Sequence, residues 1–156
     1  MSKYTLERKQ TIPSDLNSTY AFFEDPRNLK EITPPWLSFR VVSASDETMR
    51  QGTRIRYKIR WFGLSMKWES LIAEYEKNES FADEMLRGPY KSWYHVHRFR
   101  AVPGGVEMSD RVDYELPFGP LGRLAHWLMV RRQLKAIFDF REKRIREIFV
   151  SSSTPR

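Results

Sequence analysis

The residues of this chain that are best suited to chemistry lie on two neighbouring segments of alternating polarity. The first segment carries Trp93, His95, His97 and Phe99, and the second carries Val106, Met108, Asp110, Val112 and Tyr114. The intervening Pro103-Gly104-Gly105 is typical of a hairpin loop. Because successive side chains of a strand point to opposite faces, each set shares one face, and its apolar members predict that this face is the inner one.

Pairing across the predicted loop brings ionisable side chains together. The two residues that flank the loop, Ala101 and Val106, set the register. This register places His97 opposite Asp110, with His95 one pair further along the same face. Residues directly opposite each other have Cβ atoms about 5 Å apart, which is close enough for a hydrogen bond between His97 and Asp110.

Several interpretations fit this cluster. In the first, the groups only satisfy one another inside the core, since buried polar groups are normally hydrogen-bonded. In the second, they orient a ligand in an apolar pocket by binding its carbonyl, phenol or carboxylate group. In the third, the cluster is catalytic, with His97 as general base, Asp110 as the group that orients it and Tyr114 as donor to a developing oxyanion.

Metal binding is a further interpretation. A His-x-His pair on a strand suits zinc or copper, but Asp110 is the only candidate nearby for a third ligand. The chain has no cysteine, which excludes thiolate ligands, disulfides and cysteine nucleophiles. It also shows no phosphate-binding glycine loop and no nucleophile elbow. We therefore predict no metal site and no cofactor.

The rest of the chain supplies the elements that position the hairpin. Periodicity predicts strands at 4–12, 39–44, 54–61, 64–75, 81–86, 91–102 and 106–116, short helices at 14–24 and 27–32, and one long amphipathic helix at 121–149. A sheet with one apolar face must bury that face. Since the C-terminal helix is the only element long enough to cover it, we predict an α+β fold. Its curved seven-stranded antiparallel sheet wraps around this helix, and the two short helices lie between strands 1 and 2.

Length and composition bound the class of protein. A chain of 156 residues is one domain by the usual size range. We place this domain at residues 1–150 and a disordered tail at 151–156. The first residues lack the apolar core of a signal peptide, and no apolar run approaches the length of about 20 residues that a membrane span needs. We therefore expect a cytoplasmic protein, either a monomer or a homodimer.

The charge of the chain is strongly positive. A net charge of +7 permits contact with phosphate-bearing partners or anionic lipid without requiring it. One predicted strand has a wholly cationic outer face, formed by Arg54, Arg56, Lys58 and Arg60. We interpret this row as a solvated surface that discourages edge pairing, which disfavours a nucleic-acid partner. The alternative is a basic interaction module that touches RNA, a ribosome or an anionic membrane, so peripheral membrane contact stays open.

Several short sequence segments resemble those of one known superfamily. They are Ile12-Pro13, Tyr20-Ala21-Phe22-Phe23, Asp25-Pro26 and Asn28-Leu29, then Gly88-Pro89-Tyr90, Trp93, His95, His97, Asp110, Val112, Tyr114, Pro117-Phe118-Gly119 and Leu121-Gly122. Together with the order of elements over residues 3–149, they resemble the START-like superfamily (SRPBCC), which includes polyketide cyclases, coenzyme-Q-binding proteins and plant pathogenesis-related allergens. The resemblance implies a helix-grip fold with an internal cavity. It implies no single chemistry, because function must be argued from the site.

We predict that the protein binds a small hydrophobic ligand, such as a lipid, isoprenoid, quinone or polyketide-like aromatic, in a cavity larger than about 300 Å³. The aromatic content of 14% suits the lining of such a cavity. The alternative is a polyketide cyclase or dehydratase that uses the His–Asp pair, so the sequence leaves open whether the protein is an enzyme. The predicted ligand-binding residues are Trp61, Trp68, Trp93, His95, Val112 and Leu128.

Overall fold

The computed structural model describes residues 2–153, which form one antiparallel sheet and a long C-terminal helix. The strands are β1 (Lys3–Ile12), β2 (Arg40–Ala44), β3 (Arg54–Trp61), β4 (Leu64–Glu76), β5 (Ser80–Arg87), β6 (Ser92–Val102) and β7 (Gly105–Glu115). They follow the order β1-β7-β6-β5-β4-β3-β2 across the sheet, and every neighbouring pair is antiparallel. This arrangement confirms the predicted helix-grip fold.

The connection from β1 to β2 is helical, as the sequence predicts. Helix α1 (Leu16–Phe23) begins where the Asp15 carboxylate accepts a hydrogen bond from the Ser18 backbone N–H at 2.8 Å, which satisfies a donor at the helix start. The second segment, Pro26–Ile32, is a 3₁₀-helix rather than an α-helix, and a further 3₁₀ turn follows at Pro35–Leu37. Each 3₁₀ segment begins at a proline, a position where the missing backbone N–H costs no hydrogen bond within the helix.

The C-terminal helix differs from the predicted single α-helix. It consists of α2 (Gly119–Ala125), a π-helical turn (His126–Val130) and α3 (Arg131–Ser153). A π turn closes its hydrogen bonds over one more residue than an α turn, which shifts the helical phase. Apolar residues before the turn therefore lie on a different face of the helix from those after it. Three leucines of the predicted amphipathic helix are exposed: Leu121, Leu124 and Leu128, the last of which we predicted to bind the ligand. The start of the predicted tail, at 151–153, is helical, and residues 154–156 lie outside the described part of the chain.

The central hairpin pairs in the predicted register. His95 lies opposite Val112, and His97 lies opposite Asp110. The buried apolar side chains form two clusters, one that includes Phe99 and one that includes Trp93. Since His95 and His97 lie between Trp93 and Phe99 on the same face of β6, the polar groups sit where the two apolar clusters meet. Within residues 2–153, no helix is both long enough and apolar enough to cross a membrane.

Candidate ligand-binding site

A cavity lies between the inner face of the sheet and α3. Its volume is about 160 Å³, and its wall is mostly apolar. Strands β3 to β6 supply one side, and α3 supplies the other through Leu134, Ile137, Phe138 and Arg141. The predicted cavity is therefore present, but it is smaller than the volume of about 300 Å³ that we expected.

Close packing of aromatic rings accounts for the small volume. The ring centroids of Trp68 and Trp93 are 5.5 Å apart, with the ring planes at 88°. The ring centroid of Tyr90 lies 4.9 Å from that of Trp93. These are ordinary distances for aromatic pairs, so the rings fill space that would otherwise be open. A dry cavity of about 150 Å³ holds a molecule as large as benzene. In this conformation the cavity accommodates one ring with small substituents.

Two histidine–aspartate pairs interrupt the apolar wall. His95 Nε2 lies 2.8 Å from Asp110 Oδ1, and His97 Nε2 lies 2.9 Å from Asp83 Oδ2. Asp83 comes from β5, where it lies opposite His95, and Asp110 comes from β7, where it lies opposite His97. Neither histidine bonds to the aspartate directly opposite it. Each bonds to the aspartate that lies opposite the other histidine.

Two nitrogens of this cluster have no hydrogen-bond partner among the described residues. His97 Nδ1 lies 3.1 Å from Asp110 Oδ1 without the alignment of a hydrogen bond, so the predicted bond between these side chains is not formed. Arg141 reaches the cluster from α3 and places Nη2 3.9 Å from the same oxygen, while its Nε is buried and unpartnered. His97 and Arg141 both line the cavity.

Burial and charge act in opposite directions on these groups. Burial alone would raise the pKa of Asp110, but the Arg141 guanidinium and the two neighbouring imidazoles hold this pKa well below its usual value. Burial likewise opposes ionisation of Asp83, yet its hydrogen bond with His97 lowers its pKa. Burial also disfavours the charged form of His97, but the two carboxylates outweigh it and raise the pKa. For His95, burial and the positive charge of His97 lower the pKa despite the bond to Asp110.

The directions of these shifts favour an electrically neutral cluster. With a proton on His97, the form that its raised pKa favours, the Arg141 guanidinium and His97 balance the two carboxylates, and neutral His95 donates its Nε2–H to Asp110. Asp83, His95 and His97 could together hold a metal ion, because their ligand atoms lie within 4.8 Å of one another. The third ligand that the sequence did not reveal is thus present. The hydrogen bonds of both histidines to carboxylates also suit a site that carries a proton.

Most of the predicted ligand-binding residues lie in the cavity wall. Four of the six line it: Trp61, Trp68, Trp93 and His95. Val112 is fully buried in the adjoining apolar cluster and does not line the cavity. Leu128 is 48% exposed and lies outside the cavity wall, because the π turn shifts the phase of the helix at this position.

The three residues predicted as catalytic lie in different places. His97 lines the cavity, and Asp110 contacts both histidines without lining it. The Tyr114 hydroxyl lies 2.7 Å from Nε2 of His126, and Tyr114 does not line the cavity. Burial raises the pKa of Tyr114 to about 12, so the hydroxyl keeps its proton at neutral pH. The structure thus brings His97 and Asp110 together and leaves Tyr114 apart from them.

Two residues of the site were not predicted from the sequence, although a signal for each exists. Asp83 shares a period-two face with Phe81, which is buried, so the alternation of β5 points it inwards. Arg141 lies four residues after Ile137 and four before Ile145, which places one cation on the apolar stripe of α3. A charged residue at an inward position of an otherwise apolar pattern is the feature that marks both.

The sequence matches one known protein family over most of its length. The family model described as polyketide cyclase/dehydrase and lipid transport matches residues 12–139. The chain belongs to this family. Its membership confirms the predicted START-like resemblance and supports hydrophobic-ligand binding or cyclase-type activity in general terms. No curated protein matches the sequence.

Solved structures share the fold of this polyketide cyclase family protein at low sequence identity. A protein from Thermus thermophilus is 19% identical with a TM-score of 0.69, and the match covers 98% of this chain and 100% of that one. The di-domain ARO/CYC protein StfQ from the steffimycin biosynthetic pathway is 12% identical with a TM-score of 0.71, over 97% of this chain and 52% of that one. The major latex-like protein 151 of Panax ginseng is 16% identical with a TM-score of 0.55, over 86% and 96% of the two chains. At such identities the likeness establishes the fold alone.

Proposed function

We propose that this protein binds a small hydrophobic molecule with a single ring and one oxygen function, such as a carbonyl, phenol or carboxylate. One observation carries the proposal: two buried, unpartnered nitrogens, His97 Nδ1 and Arg141 Nε, belong to residues that line an apolar cavity of about 160 Å³. Apolar pockets use a small number of placed polar groups to orient their ligands. The cavity and the cluster together have that composition.

The chemistry of the two nitrogens favours an acceptor on the ligand. Arg141 Nε carries a hydrogen at any physiological pH. His97 Nδ1 also carries one when the imidazole is protonated, the form that its raised pKa favours. A buried donor without a partner costs about 1–3 kcal/mol, and a ligand oxygen that accepts from it removes that cost. A pure hydrocarbon would leave Arg141 Nε without a hydrogen bond and His97 Nδ1 with only its 3.1 Å approach to Asp110 Oδ1.

Size narrows the ligand class that the sequence suggested. Isoprenoids, quinones with isoprenoid tails and fused polyketide-like aromatics need more room than a cavity of about 160 Å³ offers. They would require movement of the 3₁₀ segments, which contribute Leu29, Ile32 and Leu37 to the wall. The proposal therefore concerns the ring and the oxygen function that enter the cavity.

A matched pair of probes tests this proposal. 4-Ethylphenol and ethylbenzene have nearly the same size and differ by one hydroxyl. We expect 4-ethylphenol to bind at least about tenfold more tightly, because only its oxygen can satisfy the buried donors. Binding is measured by the change in tryptophan fluorescence, since Trp68 and Trp93 line the cavity.

Two variants control the measurement. Ile137→Trp fills the cavity and should abolish binding, whereas Val42→Trp adds the same side chain at an exposed position of β2 and should not. Equal affinity for the two probes would refute the polar recognition. Absence of binding by both probes would refute the cavity as a binding site.

A second candidate function is proton transfer on a bound carbonyl compound, as in a cyclase or dehydratase. The opposite pKa shifts of His95 and His97 favour it, because their rings stack with centroids 3.7 Å apart and form a base beside an acid. Asp110 occupies His95 Nε2, so Nδ1 is the nitrogen left to accept a proton from the carbon next to the carbonyl. Protonated His97 would stabilise the enolate oxygen. The base is then His95, not His97 as the sequence suggested.

Hydrogen–deuterium exchange tests this chemistry without a known substrate. A base that removes the proton next to a carbonyl exchanges the methyl protons of acetophenone in D₂O, and NMR follows the loss of signal. We expect His95→Gln to slow this exchange by about 100-fold or more. Tyr94→Phe, whose hydroxyl bonds to Glu74 on the other face of β6, should leave it unchanged. Undiminished exchange by His95→Gln would remove the candidate.

A further inference from the structure

A group of exposed apolar side chains surrounds the start of the C-terminal helix. Its members are Phe118, Leu121, Leu124, Trp127, Leu128 and Met129. Phe118 is 80% exposed and Trp127 is 69% exposed, so these large side chains stand free of the core. Single exposed apolar residues are normal, but a contiguous group marks a surface that contacts a partner or a membrane. We call residues 118–132 the helix-start surface.

The helix-start surface is also cationic. From Leu116 to Phe138 the sequence contains neither Asp nor Glu. The same stretch contains the exposed arginines Arg123, Arg131 and Arg132. A two-fold contact between two copies of this surface would bring like charges together. An anionic lipid surface would instead supply the missing negative charge.

The turn between β3 and β4 extends this apolar surface. Phe62 is 44% exposed and Leu64 is 65% exposed. A row of rings in contact connects the turn with the helix-start surface: Trp61, Tyr90, Tyr114 and His126. The turn and the helix-start surface therefore lie at the same end of the molecule. Since Trp61 and Tyr90 also line the cavity, one end of the cavity wall belongs to this end as well.

We propose that the helix-start surface docks on an anionic membrane. Its aromatic and aliphatic side chains enter the boundary between headgroups and acyl chains, and its arginines contact the lipid phosphates. Apolar and aromatic residues on one side with arginines beside them are the composition of helices that lie in a membrane interface. Docking in this way brings the cavity end of the protein to the layer in which hydrophobic molecules concentrate.

The basic row on β3 is a weaker candidate for this contact. Arg54 and Arg56 each form an ion pair with Glu69 on the neighbouring strand, at 3.5 and 3.4 Å. That row alternates with inward-facing residues and offers no exposed apolar side chain to insert. The membrane contact that the sequence left open is therefore assigned to residues 118–132.

Co-sedimentation with vesicles tests the docking surface. The full chain is mixed with vesicles of phosphatidylcholine, either pure or containing phosphatidylglycerol. We expect binding only to the vesicles with phosphatidylglycerol, a blue shift of tryptophan emission, and weaker binding at higher salt concentration. The double variant Trp127→Ser/Leu128→Ser should reduce the partition coefficient by about tenfold or more, because it removes the inserted apolar surface.

Charge variants locate the electrostatic part of the contact. Arg131→Gln/Arg132→Gln should also weaken binding, whereas Arg54→Gln/Arg56→Gln removes the same charge from β3 and should have little effect. Circular dichroism should show unchanged folding, since all of these side chains are exposed.

Three results would overturn the proposal. The first is equal binding to neutral and anionic vesicles. The second is loss of binding in the β3 variant alone, which would assign the contact to the basic row. The third is absence of vesicle binding together with a dimer that Trp127→Ser/Leu128→Ser dissociates, which would assign the surface to a second copy of the chain.

Discussion

Replacement of Arg141 by methionine removes the permanent positive charge from the buried cluster. The guanidinium lies 3.9 Å from Asp110 Oδ1, and only 14% of the side chain is exposed, so solvent screens the interaction weakly. At this distance and an effective dielectric constant of about 20, the attraction is about 4 kcal/mol. Breaking a buried ion pair costs about 3–5 kcal/mol. Because methionine retains the apolar stem, we expect Arg141→Met to lower the free energy of unfolding by about 3–4 kcal/mol at pH 8.

The loss should be smaller at pH 5.5. Without Arg141, the cluster has one excess negative charge, and a second proton on His95 restores neutrality. The pKa of His95, which is lowered in the wild-type protein, should therefore rise in the folded variant. A histidine whose pKa is higher in the folded state stabilises the protein fully at pH values below its pKa in the unfolded chain, which is 6.5. This stabilisation is lost as the pH rises through the pKa of the folded state. Acid should thus recover part of the lost stability.

Urea unfolding, followed by tryptophan fluorescence at both pH values, measures these differences. Arg144→Met is the matched control on the same helix. Its side chain is 37% exposed and pairs with Glu31 and Glu147 at 3.6 and 3.4 Å, and such surface pairs contribute about 0–1 kcal/mol. Equal losses in the two variants, or a loss for Arg141→Met that does not depend on pH, would refute the charge balance described for the cluster.

Wild-type stability should fall as the pH rises from 6.5 through the raised pKa of His97, and urea midpoints should lose this slope in His97→Gln; an unchanged slope would contradict the assignment. Ser70→Ala removes the acceptor that lies 2.9 Å from the Trp68 indole nitrogen and should cost about 1–3 kcal/mol in thermal unfolding, whereas a neutral effect would mean that water replaces it. Gly105→Ala places a Cβ 2.0 Å from a β1 carbonyl oxygen and should lower the melting temperature much more than Gly104→Ala, where the Cβ meets open space; similar effects would contradict the close approach.

The register of the central hairpin was predictable because several local features agree on it. The glycine-containing loop fixes which residues of the two strands lie opposite each other. In that register the apolar residues of both strands fall on the same face of the sheet. A slip by one residue would turn Trp93 and Phe99 towards solvent, which the apolar pattern forbids. The same reasoning placed Trp61 and Trp68 on the inner face, where they line the cavity.

Features that depend on side-chain torsions or on several strands at once were not predictable. His97 lies opposite Asp110 as predicted, yet it bonds to Asp83, because the pairing also depends on a third strand. The π turn has no local signature, so the exposure of Leu128 could not be read from periodicity. The volume of the cavity depends on how rings pack edge to face, and composition does not encode that packing.

The order of strands in the sheet has a consequence for biosynthesis. β1 forms one edge and its neighbour is β7, so that Ile12 pairs with Val106. A ribosome that adds about 5–20 residues per second needs about 5–20 s to reach that partner. Until then β1 leaves the exit tunnel as an unpaired strand, and its charged residues, among them Glu7 and Lys9, keep it from pairing with other nascent chains. Of the seven strands described, β1 is synthesised first, yet it must wait for β7 to find its partner.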